Sequence, residues 1–234
     1  MPPNWDELSQ SEEPAALLLQ RLGWIFVPPE QLEAERASPR DVLLLPRLEA
    51  AIRRLNPWIS SENVGRVLRE LGAVQAASLM EVNEKLHILL TYGATVRQDI
   101  GDGLGVKDRP VRLIDFDDPA DLINGNGGNE FIFTRQFPVQ NVKGLTIIPD
   151  IVLFVNGVPL AVIECKSPKI AEPIAEAIGQ MLRYQEVEDR FEHLGAPKLF
   201  EAMQVLAAIS SVGAAYASVA RRAIFGVAGR CRIP

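Results

Sequence analysis

Up to Gly93 the apolar residues recur at the three- and four-residue spacing of helices; beyond it the pattern shifts to strand-like runs. After a polar opening dozen residues that read as loose chain, Ala15, Leu17, Leu18, Leu19 and Leu22 mark a helix over Glu13–Leu22. A short Trp24–Val27 run follows, stopped by Pro28 and Pro29. Residues 29–90 read as mostly helical. Pro46 opens one helix through Leu55, and Ser60/Ser61 cap another through Leu71, with Gly72 as its stop. A third covers Ala76–Tyr92, with Leu79, Val82, Leu86, Leu89 and Leu90 on one face and Gly93 as its stop. The strand-like runs are Val111–Phe116, Glu130–Val139, Thr146–Val155 and Pro159–Lys166, punctuated by Gly101, Gly103, Gly105 and the 124–128 Asn/Gly stretch. A helix over Ile170–Glu192 and an apolar stretch Leu199–Ser210 complete the pattern, which shows no internal repeat. The layout predicts one α/β domain: a mixed central sheet flanked by helices, with an N-terminal helical elaboration.

At 47% hydrophobic residues, the 234-residue chain has material for a packed core. No apolar run approaches the roughly 20 residues that span a bilayer, and Met1–Glu13 lacks the basic and apolar regions of a signal peptide. The two cysteines, Cys165 and Cys231, point to a reduced cytoplasmic protein without a disulfide framework or zinc site. His87 and His193 stand far apart, without metal-ligand spacing. A net charge of −6 counts against a free-standing nucleic-acid binder, because phosphate contacts supply much of such affinity. If the chain acts on DNA, another component does much of the holding.

The segment Ile147–Lys169 carries the chemistry. Two apolar runs flank Asn156-Gly157, a strong hairpin signal, and their near-continuous apolarity places the hairpin in a sheet covered on both faces. Asp150, Glu164, Lys166 and Ser167 interrupt these runs or their edges, and burying such charges is costly unless they are paired or metal-bound. Alternation puts Glu164 and Lys166 on one face and Cys165 on the other. With a plain two-residue turn, Val155 pairs with Val158, and Asp150 shares its face with Ile163, away from Glu164. A longer loop, or a bulge at Pro159, brings Asp150 and Glu164 to one face; this arrangement is the one expected. Two carboxylates so placed suit one or two Mg²⁺ ions, with the Cys165 backbone carbonyl as a further ligand and Lys166 beside a scissile phosphate.

Pro149-Asp150 followed by Glu164-Cys165-Lys166 resembles the PD-(D/E)XK nuclease signature. The text PDIVLFVNGVPLAVIECKSP is similar, more specifically, to the N-terminal endonuclease domain of type I restriction enzyme R subunits. So are RRLNP at 53–57, LIDFDDP at 113–119 and NEFIFTRQFPV at 129–139. The resemblance covers about residues 12–219. It implies a restriction-endonuclease-like fold and Mg²⁺-dependent cleavage of double-stranded DNA. The implied partners are the methyltransferase and specificity subunits of a type I complex. Gln180 and Tyr184 match the family's Gln-x-x-x-Tyr pair, and a glutamate of the first helix completes the site; Glu13 is the candidate and Glu12 the fallback.

The expected division is a nuclease domain at 1–219, with the helical elaboration at about 29–92 and the catalytic sheet at about 95–210. The 220–234 segment, unlike the family, reads as a frameshifted, truncated or disordered tail. Nothing resembles a Walker A loop, so ATP is expected to be needed only by motor domains outside this chain. The 124–128 loop lacks the Lys-Ser/Thr of a phosphate cradle and reads as a turn. Gln136 reads either as a polar residue near the site or as a ladder-face residue, and Arg53, Arg54, Arg66 and Arg69 as a solvated face. Two other functions stay open: a cleavage-dead docking module, or a repair-type exonuclease of the same fold.

Overall fold

The computed structural model describes residues 11–117, 128–219 and 225–228. Helix α1 (Glu13–Arg21) leads into a two-residue strand β1 (Ile25–Phe26) and a short α2 (Pro29–Ala34). Three helices follow: α3 (Leu45–Leu55), α4 (Ser61–Gly72) and α5 (Leu79–Tyr92). Their starts are written in the sequence. Ser60 accepts from the Asn63 N–H and Ser78 from the Glu81 N–H, both at 3.3 Å, and Pro46 occupies the first turn of α3. The Ser78 cap moves the start of α5 beyond Ala76, where the helix was expected to begin.

Strands β2 (Ala94–Gln98) and β3 (Lys107–Val111) form a separate antiparallel ribbon. Its Ala94, Val96 and Val111 pack with Leu48, Ile52, Val67 and Leu86 of the helical part, so the ribbon belongs with that part and not with the main sheet. The strand expected over Val111–Phe116 does not form. Asn56 takes both the Arg112 N–H and its carbonyl, and Asn129 does the same for Asp115, so side chains replace a strand partner there.

The remaining strands are β4 (Phe131–Arg135), β5 (Val139–Gln140), β6 (Thr146–Ile147), β7 (Ile151–Val155) and β8 (Val158–Cys165), and, after helix α6 (Pro173–Tyr184), β9 (Val205–Ser210), β10 (Gly213–Ala217) and β11 (Phe225–Ala228). Among the described residues β4 and β7–β11 join β1 in a seven-stranded mixed sheet, in the order β1-β4-β7-β8-β9-β10-β11, while β5 and β6 pair with each other. The β8–α6–β9 crossover makes the central parallel pair; β7 runs antiparallel to its two neighbours, β4 and β8. Helix α6 is shorter than the expected Ile170–Glu192, because Pro173 opens it and Glu186, at φ 54°, follows its end. Strand β11 lies inside the segment expected to be an atypical or disordered tail. Its Phe225, Val227 and Ala228 pair with Tyr216, Ala215 and Ala214 of β10.

Apolar side chains cover both sheet faces. Val152, Phe154 and Val162 pack with Ala177 and Met181 of α6, while Ile151, Leu153 and Cys165 pack with Ala15, Ala16 and Leu19 of α1. The hairpin tip between β7 and β8 joins this sheet to the helical part. Asn156 and Gly157 both adopt positive φ, 53° and 81°, as a tight two-residue turn requires. The buried Asn156 side chain accepts from the Glu130 N–H at 2.7 Å and donates to the Leu113 carbonyl at 2.9 Å. A Cβ on Gly157 would meet the Leu44 carbonyl oxygen at 2.6 Å and the Leu48 nitrogen at 3.0 Å. Gly157→Ala is therefore expected to destabilise the fold by about 2 kcal/mol or more, measured by urea unfolding, with wild-type stability contradicting the packing described.

Candidate active site

The β7–β8 hairpin decides which side chains meet. Val155 pairs with Val158 and Phe154 with Pro159, as a two-residue turn dictates, but Leu153 then pairs with Ala161. Leu160 is the extra residue of a bulge, and the register beyond it is shifted by one. Ile151 opposes Ile163, so one further step sets Asp150 opposite Glu164 on the α6 face. The expected even register forms through the bulge beside Pro159, whose ring nitrogen has no hydrogen to donate to the ladder.

The three charged groups are deeply sunk: Asp150 is 7%, Glu164 0% and Lys166 5% exposed. The Cys165 N–H donates to Asp150 Oδ2 at 2.7 Å, tying one carboxylate to the strand that carries the other. Lys166 Nζ lies 4.0 Å from Glu164 Oε2, on the same face two residues along. The Lys166 N–H bonds the Ile209 carbonyl at 2.9 Å, extending the β8–β9 pairing and stiffening the strand end that carries both charges.

Helix α6 supplies Gln180 and Tyr184, one turn apart and facing the sheet. Gln180 Nε2 donates to Glu164 Oε2 at 2.9 Å and to the Tyr184 hydroxyl at 2.7 Å. Burial, and then the Glu164 charge, push the Tyr184 phenol above its ordinary value; Asp150 adds in the same direction. The pair expected from the sequence thus reaches Glu164, Gln180 directly and Tyr184 through Gln180.

Helix α1 and strand β4 close the other side. Gln136, just past β4, donates from Nε2 to Asp150 Oδ1 and to Glu12 Oε2, both at 3.2 Å. Glu12 is 4% exposed and is held by Arg135 Nε at 2.6 Å. Burial opposes the Arg135 charge, but its bonds to Glu12 and Glu13 outweigh that and hold the guanidinium above its ordinary value. Glu13, expected as the completing glutamate, points elsewhere: its half-exposed carboxylate meets Arg135 at 2.8 Å. One residue along a helix rotates a side chain by about 100°, so Glu12 faces the site and Glu13 does not. Ser11 Oγ donates to the Lys166 carbonyl at 2.9 Å, so the end of the polar opening is a fixed part of the site. Ser11 and Arg135 were not singled out from sequence. The one available signal was the need of a buried carboxylate for a cationic partner.

Among the described residues, no three histidine, cysteine, aspartate or glutamate side chains gather as a metal cluster. The donors that meet are two carboxylates, Asp150 and Glu164, with the Cys165 backbone between them. Such an oxygen-rich, incomplete set fits a hard cation such as Mg²⁺, which binds through one or two carboxylates and completes its shell with water and phosphate oxygens. It does not fit zinc, which prefers nitrogen and sulfur ligands.

Tyr184 gives a direct optical check. The phenol lost in Tyr184→Phe is expected to titrate above free tyrosine in a 295 nm difference measurement. The fold favours the protonated phenol, so its stability contribution is whole below the unfolded tyrosine pKa and is lost as pH rises through the folded one. A midpoint at or below free tyrosine contradicts its placement beside Glu164.

The family described as type I restriction enzyme R protein N terminus matches residues 6–223. The putative type I restriction enzyme MjaIXP endonuclease subunit of Methanocaldococcus jannaschii is 28% identical over 212 residues, covering 88% of this chain and 19% of that protein. The type I restriction enzyme HindI endonuclease subunit of Haemophilus influenzae is 30% identical over 174 residues, covering 72% of this chain and 16% of the relative. The chain thus spans less than a fifth of the length of either relative. By this match it belongs to the family of type I restriction enzyme R protein N termini.

Proposed function

We propose that the chain is the Mg²⁺-dependent DNA-cleaving module of a type I restriction R protein, of the PD-(D/E)XK kind. The observation that carries the reading is the meeting of Asp150, Glu164 and Lys166 at one buried strand end, with the register switched by the Leu160 bulge. Asp150, Glu164 and the Cys165 carbonyl would hold the ion. When bound, it supplies Lewis-acid polarisation of a phosphate oxygen and a more acidic water. Lys166 places a positive charge where the phosphoryl group gains negative charge during hydrolysis and helps align the attacking water. Gln180 fixes Glu164, and Tyr184 fixes Gln180. Ser11 holds the peptide that carries Lys166.

The net charge of −6 is consistent with double-stranded DNA being delivered by other parts of the assembly. In this reading the specificity and methyltransferase subunits choose the site, and motor domains elsewhere in the R protein consume ATP. Among the described residues no helix is long and apolar enough to cross a membrane. The test uses Asp150→Asn, Glu164→Gln and Lys166→Met in the complete restriction complex with circular DNA. Each is expected to lower cleavage by about a hundredfold or more, with ATP hydrolysis retained. Cleavage at the parent rate by any of the three contradicts the assignment.

A further inference from the structure

Gln136 has a backbone and a side chain that its place just past β4 does not explain. At φ 53° it lies in the left-handed region, which non-glycine residues occupy at a cost and which often marks functional sites. The turn ends the β4 ladder after the Arg135–Ile151 pair. The Gln136 N–H then donates to the Asp150 carbonyl at 2.8 Å, and the Phe137 N–H to the Pro149 carbonyl at 3.3 Å. The side chain reaches the same residue, its Nε2 donating at 3.2 Å to Asp150 Oδ1. Asp150 Oδ2 is already held by the Cys165 N–H at 2.7 Å. Both carboxylate oxygens are therefore fixed by donors from opposite sides.

The second Gln136 amide hydrogen points at Glu12 Oε2, and Glu12 is anchored by Arg135. A neutral amide thus stands between two carboxylates and donates to each. A glutamate there could supply neither bond and would add a third negative charge. Methionine would keep the length and lose the donors.

We infer that Gln136 is a positioning residue that presets the Asp150 carboxylate and so sets the affinity of the site for a divalent cation. This rests on the nuclease reading above. Arg135, Glu12 and Gln136 form a chain of contacts from α1 to Asp150, matching the Tyr184–Gln180 brace of Glu164. Fixing a ligand before the ion arrives removes an ordering cost from binding.

Mn²⁺ binding to the full chain, by calorimetry and by the rise in melting temperature with Mn²⁺, tests the role without relying on cleavage. Gln136→Met is expected to weaken Mn²⁺ binding about tenfold, the worth of one hydrogen bond to a charged group, and to lower the metal-free melting temperature by several degrees, because two buried carboxylates lose a donor. Gln136→Asn, a residue that tolerates positive φ but withdraws the amide by one methylene, is expected to weaken binding similarly. It keeps the test open if the methionine variant does not fold. Parent-like Mn²⁺ affinity in a folded variant overturns the role of Gln136 alone. A parent chain that binds no Mn²⁺, or whose binding survives Glu164→Gln, overturns the nuclease reading and this inference with it.

Discussion

One extra residue on β8 decides the chemistry of this chain. Leu160 sits where β8 passes the Leu153–Phe154 step of β7, and beyond it every pairing is shifted by one. Because strand side chains alternate with a period of two, such a shift exchanges faces. Without it Asp150 would keep the α6 face, alternating with Val152 and Phe154, and Glu164 would turn to the α1 side. The bulge is held from the β9 side as well, where the Gln204 N–H bonds the Leu160 carbonyl at 2.8 Å.

Bringing two carboxylates and an ammonium into an apolar sheet is costly in the low dielectric of an interior. The cost is offset by a surrounding set of donors. Each carboxylate takes a bond from a glutamine amide, Gln136 for Asp150 and Gln180 for Glu164, and Lys166 lies beside Glu164. Those glutamines are themselves held, by Glu12 and by Tyr184, on elements from opposite sides of the sheet. The site is thus fixed by four elements, α1, β4, β8 and α6, and not by the hairpin alone.

Much of this was legible in the sequence because it is local. Asn156-Gly157 fixes the turn, Pro159 marks the place where the ladder can slip, and the polar residues breaking two apolar runs mark the site. The Ser60 and Ser78 caps and the helical spacing up to Gly93 were equally readable. What the sequence hid depends on distant contacts or on helix phase. Ser11 meets the Lys166 carbonyl across a separation of 155 residues, which no periodicity reveals. Choosing Glu12 over Glu13 requires knowing how α1 is rotated on the sheet. The β2–β3 ribbon is polar on most positions and β11 is four residues long, beyond the residues the family matches, so neither carried a strong strand signal. Gln136 was readable as polar, but its left-handed turn was not.

The central claim is that Asp150 and Glu164 jointly hold one cation. Anomalous diffraction from crystals soaked in Mn²⁺ tests it most directly. The account predicts a peak about 2.0–2.3 Å from an oxygen of each carboxylate, near the Cys165 carbonyl. Ordered carboxylates with no peak between them, at a Mn²⁺ concentration that saturates the chain in solution, would contradict it.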